Sequence, residues 1–129
     1  MTYDEFLKNF YIILKRAMEF SFKARREGLL ALDEVLEEEK VDNRDIFEYG
    51  MRFTIDGTDK DVIDNILTNI INQEKDNFSR TLKNIQKEAV LSIQGGHNTR
   101  ILLAFINSHT DIPLNDPEFK KIIAEYNLE

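Results

Sequence analysis

The chain has 129 residues, of which 42% are apolar and 32% charged, and it contains no cysteine or tryptophan. A chain of this length favours one domain, because two separate cores would each bury too little apolar surface to be stable. The low content of glycine and proline excludes collagen-like and linker-like chains. The absence of cysteine excludes a disulfide framework and a thiolate metal site, and it is compatible with a cytoplasmic location.

The net charge of −7 is concentrated in the middle of the chain. Residues 1–32 carry +2, residues 33–76 carry −9, and residues 77–129 are neutral. An acidic surface repels nucleic-acid phosphates, so a DNA or RNA partner is disfavoured. Apolar runs such as residues 10–14 are far shorter than the ~20 residues of a membrane-spanning helix. We therefore expect no transmembrane segment.

The N-terminal segment repeats apolar residues at three- and four-residue spacing, which predicts an amphipathic helix from Tyr3 to Arg26. A second apolar row widens the stripe beyond what one neighbouring helix can cover. Because wide apolar stripes are seldom left in water, we expect part of it to serve self-association or a partner helix. The candidate residues are Phe10, Tyr11, Met18 and Phe22.

Gly28 interrupts this pattern and predicts a bend near Glu27, before a second apolar pattern that ends at the acidic residues 37–39. Capping side chains then precede a short helix of about ten residues that starts near Ile46. These side chains are Asp42, Asn43 and Asp45. A turn at Asp56 and Gly57 follows it.

Thr58 is the predicted N-cap of a long helix near residues 59–94, whose apolar stripe continues on both sides of a polar patch at residues 72–77. An unbroken helix there would be about 50 Å long. A break within the polar patch is the alternative.

Gly95 and Gly96 are predicted to stop that helix, and Asn98 to cap the next one. Asp116 followed by Pro117 predicts the start of a last short helix, because proline suits the first helical position. The sequence shows no alternation typical of β-strands. The predicted fold is therefore all-α, a compact domain of about five helices.

Residue patterns typical of catalysis are absent from the sequence. The two adjacent glycines lack the lysine and spacing of a phosphate-binding loop. His109 with Asp111 is too small a set for a metal site, and residues 37–39 lack the alternating ligands of a calcium loop. We expect no catalytic, cofactor-binding or metal-binding residues and no enzyme activity. An unrecognised helical enzyme is the alternative, and it would require a buried cluster of titratable groups.

The charged residues near the first bend form two patches of opposite sign. The basic stripe consists of Lys15, Arg16, Lys23, Arg25 and Arg26, and the acidic patch of Asp33, Glu34 and residues 37–39. One interpretation is that both are ordinary solvated faces. The other is an interaction helix whose charges select and orient a partner.

Three segments resemble the cytoplasmic parts of MotA, the ion-channel subunit of the bacterial flagellar stator. They are residues 24–33 (ARREGLLALD), 49–59 (YGMRFTIDGTD) and 89–102 (AVLSIQGGHNTRIL). The first two resemble the loop between the family's second and third membrane helices, and the third resembles the segment after the fourth. They occur in the family's order, and with the residues between them they span about 24–108. Residues 1–23 would be an added amphipathic helix, and residues 109–129 a C-terminal loop and short helix.

The sequence departs from this family in two respects. The family has two long apolar helices between the blocks, whereas residues 58–88 here are amphipathic, so the resemblance implies no ion conduction. Thr99 also stands where the family usually has proline.

The resemblance implies a function in the bacterial flagellar motor. In the stator this cytoplasmic region faces the rotor and exchanges torque with the rotor ring protein FliG through charged residues. The corresponding candidates here are Arg25, Arg26, Asp33, Glu34, Glu37 and Glu38. We therefore expect a cytoplasmic, soluble MotA-like protein that binds FliG or another motor protein at the inner face of the membrane. The alternative is a peripheral membrane-surface or oligomeric scaffold protein that uses the N-terminal helix.

Overall fold

The computed structural model describes residues 1–39 and 45–126. These residues form seven α-helices and one 3₁₀ turn, without a strand, so the predicted all-α class is confirmed. The helices are α1 (Tyr3–Glu27), α2 (Leu32–Glu39), α3 (Ile46–Ile55), α4 (Lys60–Ile71), α5 (Asn77–Gln94), α6 (Thr99–Asn107) and α7 (Pro117–Glu125).

Helix α1 begins at a capping box that the sequence analysis missed. The Thr2 hydroxyl accepts a hydrogen bond from the Glu5 backbone N–H, and the Glu5 carboxylate accepts one from the Thr2 N–H. The helix ends at Gly28, whose φ of 90° lies in the region that favours glycine. A 3₁₀ turn at Leu29–Ala31 then leads into α2. The predicted bend is confirmed.

The predicted long helix near residues 59–94 is wrong, and the alternative with a break in the polar patch is right. Helix α4 ends at Ile71 and α5 begins at Asn77. Asp76 accepts a hydrogen bond from the Ser79 N–H and caps α5, while the Glu74 carboxylate accepts two backbone N–H groups in the turn. These side chains replace the helical hydrogen bonds that an unbroken helix would need. This break and the separation of α1 from α2 at Gly28 together give seven helices in the described residues instead of the predicted five.

Three of the predicted caps are confirmed and one is wrong. Asp45, Asn98 and Asp116 accept backbone hydrogen bonds at the starts of α3, α6 and α7. Thr58 is not the N-cap of α4, since that position is Asp59, whose side chain forms no capping hydrogen bond. The Thr58 N–H donates to the Phe53 carbonyl and so completes the C-terminal turn of α3. The other two predicted caps of α3, at positions 42 and 43, lie outside the described residues.

Helices α1 and α5 lie side by side and run in the same direction. The N-terminal ammonium is 3.4 Å from the Asp76 carboxylate at the start of α5, and Phe6 packs on Phe78. At the other end, the Arg25 guanidinium reaches the Gly96 carbonyl just beyond α5. Helices α3, α4 and α6 also pack on α5, which makes α5 the centre of the fold.

The core is filled by large apolar side chains from all seven helices of the described residues, with Leu32 and Leu36 contributed by α2. The fully buried ones include Phe10, Leu14, Met18, Met51, Leu67, Ile85, Leu102, Ile106 and Ile122. Helix α4 folds back on α5, so that the Lys87 ammonium lies 3.0 Å from the Asp64 carboxylate. This ion pair fixes the two helices across the break at residues 72–76.

Gly50 allows α3 to approach α5 closely. A Cβ atom at Gly50 would lie 2.7 and 2.8 Å from the two methyl groups of Val90, and 3.1 Å from a methyl of Leu67. Since these distances are below van der Waals contact, only glycine fits without moving the helices.

We predict that Gly50→Ala destabilises the fold by about 1–3 kcal/mol, because the new methyl group overpacks the contact with Val90. On an open helix the same change would be stabilising by up to ~1 kcal/mol. Urea unfolding of the single variants and of Gly50→Ala with Val90→Ala gives a double-mutant cycle. We expect the double variant to be more stable than the sum of the single effects. An unchanged or raised stability of Gly50→Ala would show that the helices are not in close contact.

Candidate functional site

The six side chains predicted to bind a partner are all exposed, and they lie around the bend between α1 and α2. They are Arg25 and Arg26 in the last turn of α1, Asp33 and Glu34 in the first turn of α2, and Glu37 and Glu38 near the end of α2. The first four complement the helix dipoles, since cations suit a helix C-terminus and anions an N-terminus. The last two lie at the negative end of α2 and add to its negative potential.

The structure brings the three MotA-like segments into contact with one another. Arg25 donates a hydrogen bond from Nη1 to the Gly96 carbonyl oxygen over 3.3 Å, which joins residues 24–33 to residues 89–102. A cavity of about 340 Å³ between them is lined by Ala24, Arg25, Leu29, Ile93, Gln94 and Gly96. Residues 49–59 join the same assembly through the contact of Gly50 with Val90.

The turn after α5 holds the Gly96 carbonyl that Arg25 contacts. Gly96 has a φ of 71°, and the N–H of His97 donates to the Ser92 carbonyl over 3.1 Å. The His97 ring stacks on Phe105, and its Nδ1 lies 3.2 Å from the Ser92 hydroxyl. This turn is a helix C-terminal motif that requires glycine, as the two adjacent glycines predicted.

Two other members of the basic stripe form ion pairs within the molecule. Arg16 pairs with Asp45 at 3.1 Å, and its guanidinium lies 4.8 Å from the centre of the Phe47 ring. Lys23 pairs with Glu27 at 3.3 Å. Arg16 thereby joins α1 to the start of α3, and Lys23 supports the last turns of α1. Arg25 and Arg26 are the two exposed arginines of the stripe.

The prediction that four residues of α1 form an intermolecular surface is wrong for Phe10 and Met18. Both are fully buried in the core. Tyr11 and Phe22 are partly buried, and α7 covers them: the Tyr11 hydroxyl donates to Asp116 over 2.8 Å, and the Phe22 ring stacks on Tyr126. The wide stripe of α1 is thus shared between α5 on one side and α7 on the other.

The sequence contained a signal for this intramolecular contact. The last helix has an apolar stripe of its own, formed by Phe119, Ile122, Ile123 and Tyr126. An amphipathic helix of nine residues must bury such a stripe to be stable. The apolar stripe of α1 was the available surface.

Glu48 is the one buried charged side chain among residues 1–39 and 45–126. Its Oε1 accepts a hydrogen bond from Arg52 over 3.1 Å, and its Oε2 receives none within the described part of the chain. In the same residues no three potential metal ligands lie together. His109 lies 3.7 Å from Glu88 rather than pairing with Asp111.

The groups with shifted pKa values include ones that cap a helix or join one helix to another, as at α7. The Tyr11 hydroxyl and the Phe119 N–H hold the pKa of Asp116 below its usual value. Burial, together with the charges of Glu19 and Glu125, raises the pKa of Tyr126 to about 12. Both groups fix α7 to α1, so these shifts reflect helix docking.

Every helix in residues 1–39 and 45–126 is too short or too polar to cross a bilayer.

Over part of its length the chain is similar to a known protein. Motility protein A of Borreliella burgdorferi is 47% identical to this chain over 55 residues. The alignment covers 43% of this chain and 20% of the relative, so the chain spans about a fifth of the length of the protein that it matches. No protein-family model and no solved structure matches the chain. Over that part of its length the chain is MotA-like.

We predict that Tyr126→Phe lowers the free energy of unfolding at neutral pH by about 0.5–1.5 kcal/mol, because the hydrogen bond to Glu19 is lost. The folded-state pKa of about 12 exceeds the ordinary 10.0. The stabilisation by the neutral phenol is therefore complete below pH 10 and is lost as the pH rises through 12.

The difference in stability between the wild type and Tyr126→Phe should therefore shrink between pH 10 and 12, as measured by urea unfolding. Tyr3→Phe is the matched control, because Tyr3 is half exposed and its hydroxyl forms no hydrogen bond within the described residues. A constant difference across this pH range would contradict the assigned contact of α7.

Proposed function

We propose that this chain is a protein-interaction module of the bacterial flagellar motor, which binds the rotor protein FliG or another motor component through the charged bend between α1 and α2. The observation that carries the proposal is that the three MotA-like segments meet in the fold: Arg25 contacts the Gly96 turn at the surface, and Gly50 packs against Val90 in the core. The partial identity with Motility protein A supports the same assignment. Under this proposal the protein works in the cytoplasm, at the inner face of the membrane.

The charges at the bend favour recognition of a protein over other kinds of ligand. Two exposed arginines are followed by four exposed acids, so the surface is strongly dipolar over a short distance. Opposed charge patches orient a partner and raise the rate of association. The net charge of −7 disfavours nucleic acid.

The alternative of a membrane-surface anchor is less well supported by the geometry. An interfacial helix binds lipid through its apolar face. In α1 that face is buried, since Phe10, Leu14 and Met18 have no exposed surface. Insertion into lipid would require α1 to leave the core.

We also propose that the chain is not an enzyme. The buried carboxylate of Glu48 pairs with the half-exposed Arg52 on the next turn of the same helix. An i, i+4 pair of this kind is a frequent structural element of helices. The shifted pKa values belong to groups that cap or dock helices, as Asp116 and Tyr126 do.

We predict that Arg25→Glu with Arg26→Glu weakens binding to purified FliG from the source organism by at least tenfold, because two attractive charges become repulsive. Isothermal titration calorimetry at two salt concentrations measures this change. The binding by the wild type should weaken as the salt concentration rises, since exposed charges are screened.

Lys120→Glu with Lys121→Glu is the matched control, because it reverses two adjacent exposed charges on α7 and gives the same net charge. We expect this control to bind FliG nearly as well as the wild type. Equal loss in both double variants would indicate a nonspecific effect of net charge. Lack of binding by the wild type, to FliG and to the purified stator proteins, would refute the proposed function.

A further inference from the structure

A groove of about 460 Å³ lies between α1, α2 and α7, next to the charged bend. Its apolar part is formed by the side chains of Phe20, Phe22, Val35 and Tyr126. Its charged part consists of Lys23 and Arg26 from α1, together with Glu19 and Glu125. The groove volume is in the range of ~300–1,000 Å³ that is typical of binding pockets.

Two of these charged side chains have a bonding partner within the described residues, and the other two do not. Lys23 pairs with Glu27, and Glu19 accepts the Tyr126 hydroxyl. Arg26 and Glu125 are exposed and form no ion pair or hydrogen bond within the described residues. The groove thus offers one available cation and one available anion beside an apolar floor.

The end of α7 adds to the negative potential at Glu125. The last turn of this helix contains no basic residue, and the turn ends at Tyr126. The carbonyl groups of a helix C-terminus carry a partial negative charge, which favours a cation placed beside them. A ligand for this groove therefore needs a basic group at the Glu125 side and an acidic group at Arg26.

We propose that this groove binds a segment of the partner protein that inserts a bulky apolar side chain between Phe22, Val35 and Tyr126, with an acidic residue at Arg26 and a basic residue at Glu125. This inference rests on the proposed function and extends the interface beyond the six charged residues of the bend. Arg26 belongs to both surfaces, so the groove is continuous with the bend. A buried apolar anchor with charged residues around it is the usual arrangement of an interface hot spot.

A second groove, of about 380 Å³ between α1 and α5, does not have these properties. Its charges pair with each other: Arg16 with Asp45, and Lys83 with Glu74 at 3.1 Å. A partner would have to break these ion pairs to use the charges. The charge arrangement therefore favours the groove beside α7.

Two variants test the apolar and the charged parts of the groove. Val35→Trp fills the space between α2 and α7, and we expect it to weaken binding to purified FliG by at least tenfold. Val62→Trp is its control, because Val62 lies half exposed on α4, outside the groove. Glu125→Lys should weaken binding severalfold, whereas Glu118→Lys, an exposed position near the start of α7, should not.

Amide chemical shifts of the ¹⁵N-labelled wild type, recorded on titration with FliG, test the site without a substitution. We expect the largest changes at Phe22, Val35 and Tyr126. Binding with changes confined to other surfaces, and with full affinity in Val35→Trp and Glu125→Lys, would overturn the groove while the proposed function stands. No change in any amide, on titration with FliG and with the purified stator proteins, would overturn both.

Discussion

The packing of α5 against α1 and α3 is the contact on which the rest of the structure depends. Helix α3 approaches α5 at Gly50, where any larger residue would collide with Val90. Helix α1 runs parallel to α5, with contacts at Asp76 and Gly96 near the two ends of α5. Because four other helices pack on α5, a shift of this helix would move most of the core.

The parallel arrangement of α1 and α5 accounts for the position of the candidate site. Two parallel helices of 25 and 18 residues that start near the same level differ in length by about 10 Å. The turn after α5 and the long side chain of Arg25 span this difference. The bend at Gly28 and the turn at Gly96 therefore meet, although about 70 residues separate them in the sequence. This meeting places residues 24–33 beside residues 89–102, and it leaves Arg25 and Arg26 exposed next to the contact.

Features of the fold that depend on a few neighbouring residues could be predicted. Features for which two different contacts compete could not. Asp45, Asn98, Asp116 and the glycines act through hydrogen bonds or backbone angles within a few residues, so their sequence pattern was sufficient. The break at residues 72–76 could not be predicted, because either polar side chains or helical hydrogen bonds could have satisfied the backbone groups there.

For the candidate site, the exposure of the six charged side chains could be predicted from their residue types. The apolar surface of α1 was misassigned because sequence periodicity shows that a face is buried, but not whether α7 or another molecule buries it.

The central claim is that the bend after α1 and the turn after α5 form one surface, and a paramagnetic label tests it most directly. The chain has no cysteine, so Arg100→Cys accepts a single nitroxide at the start of α6. Arg25 and Arg100 line one small cavity, so the label should broaden the amide signals of residues 24–29 as well as those of α6. Broadening restricted to α6 and the end of α5, with residues 24–29 unaffected, would contradict the account.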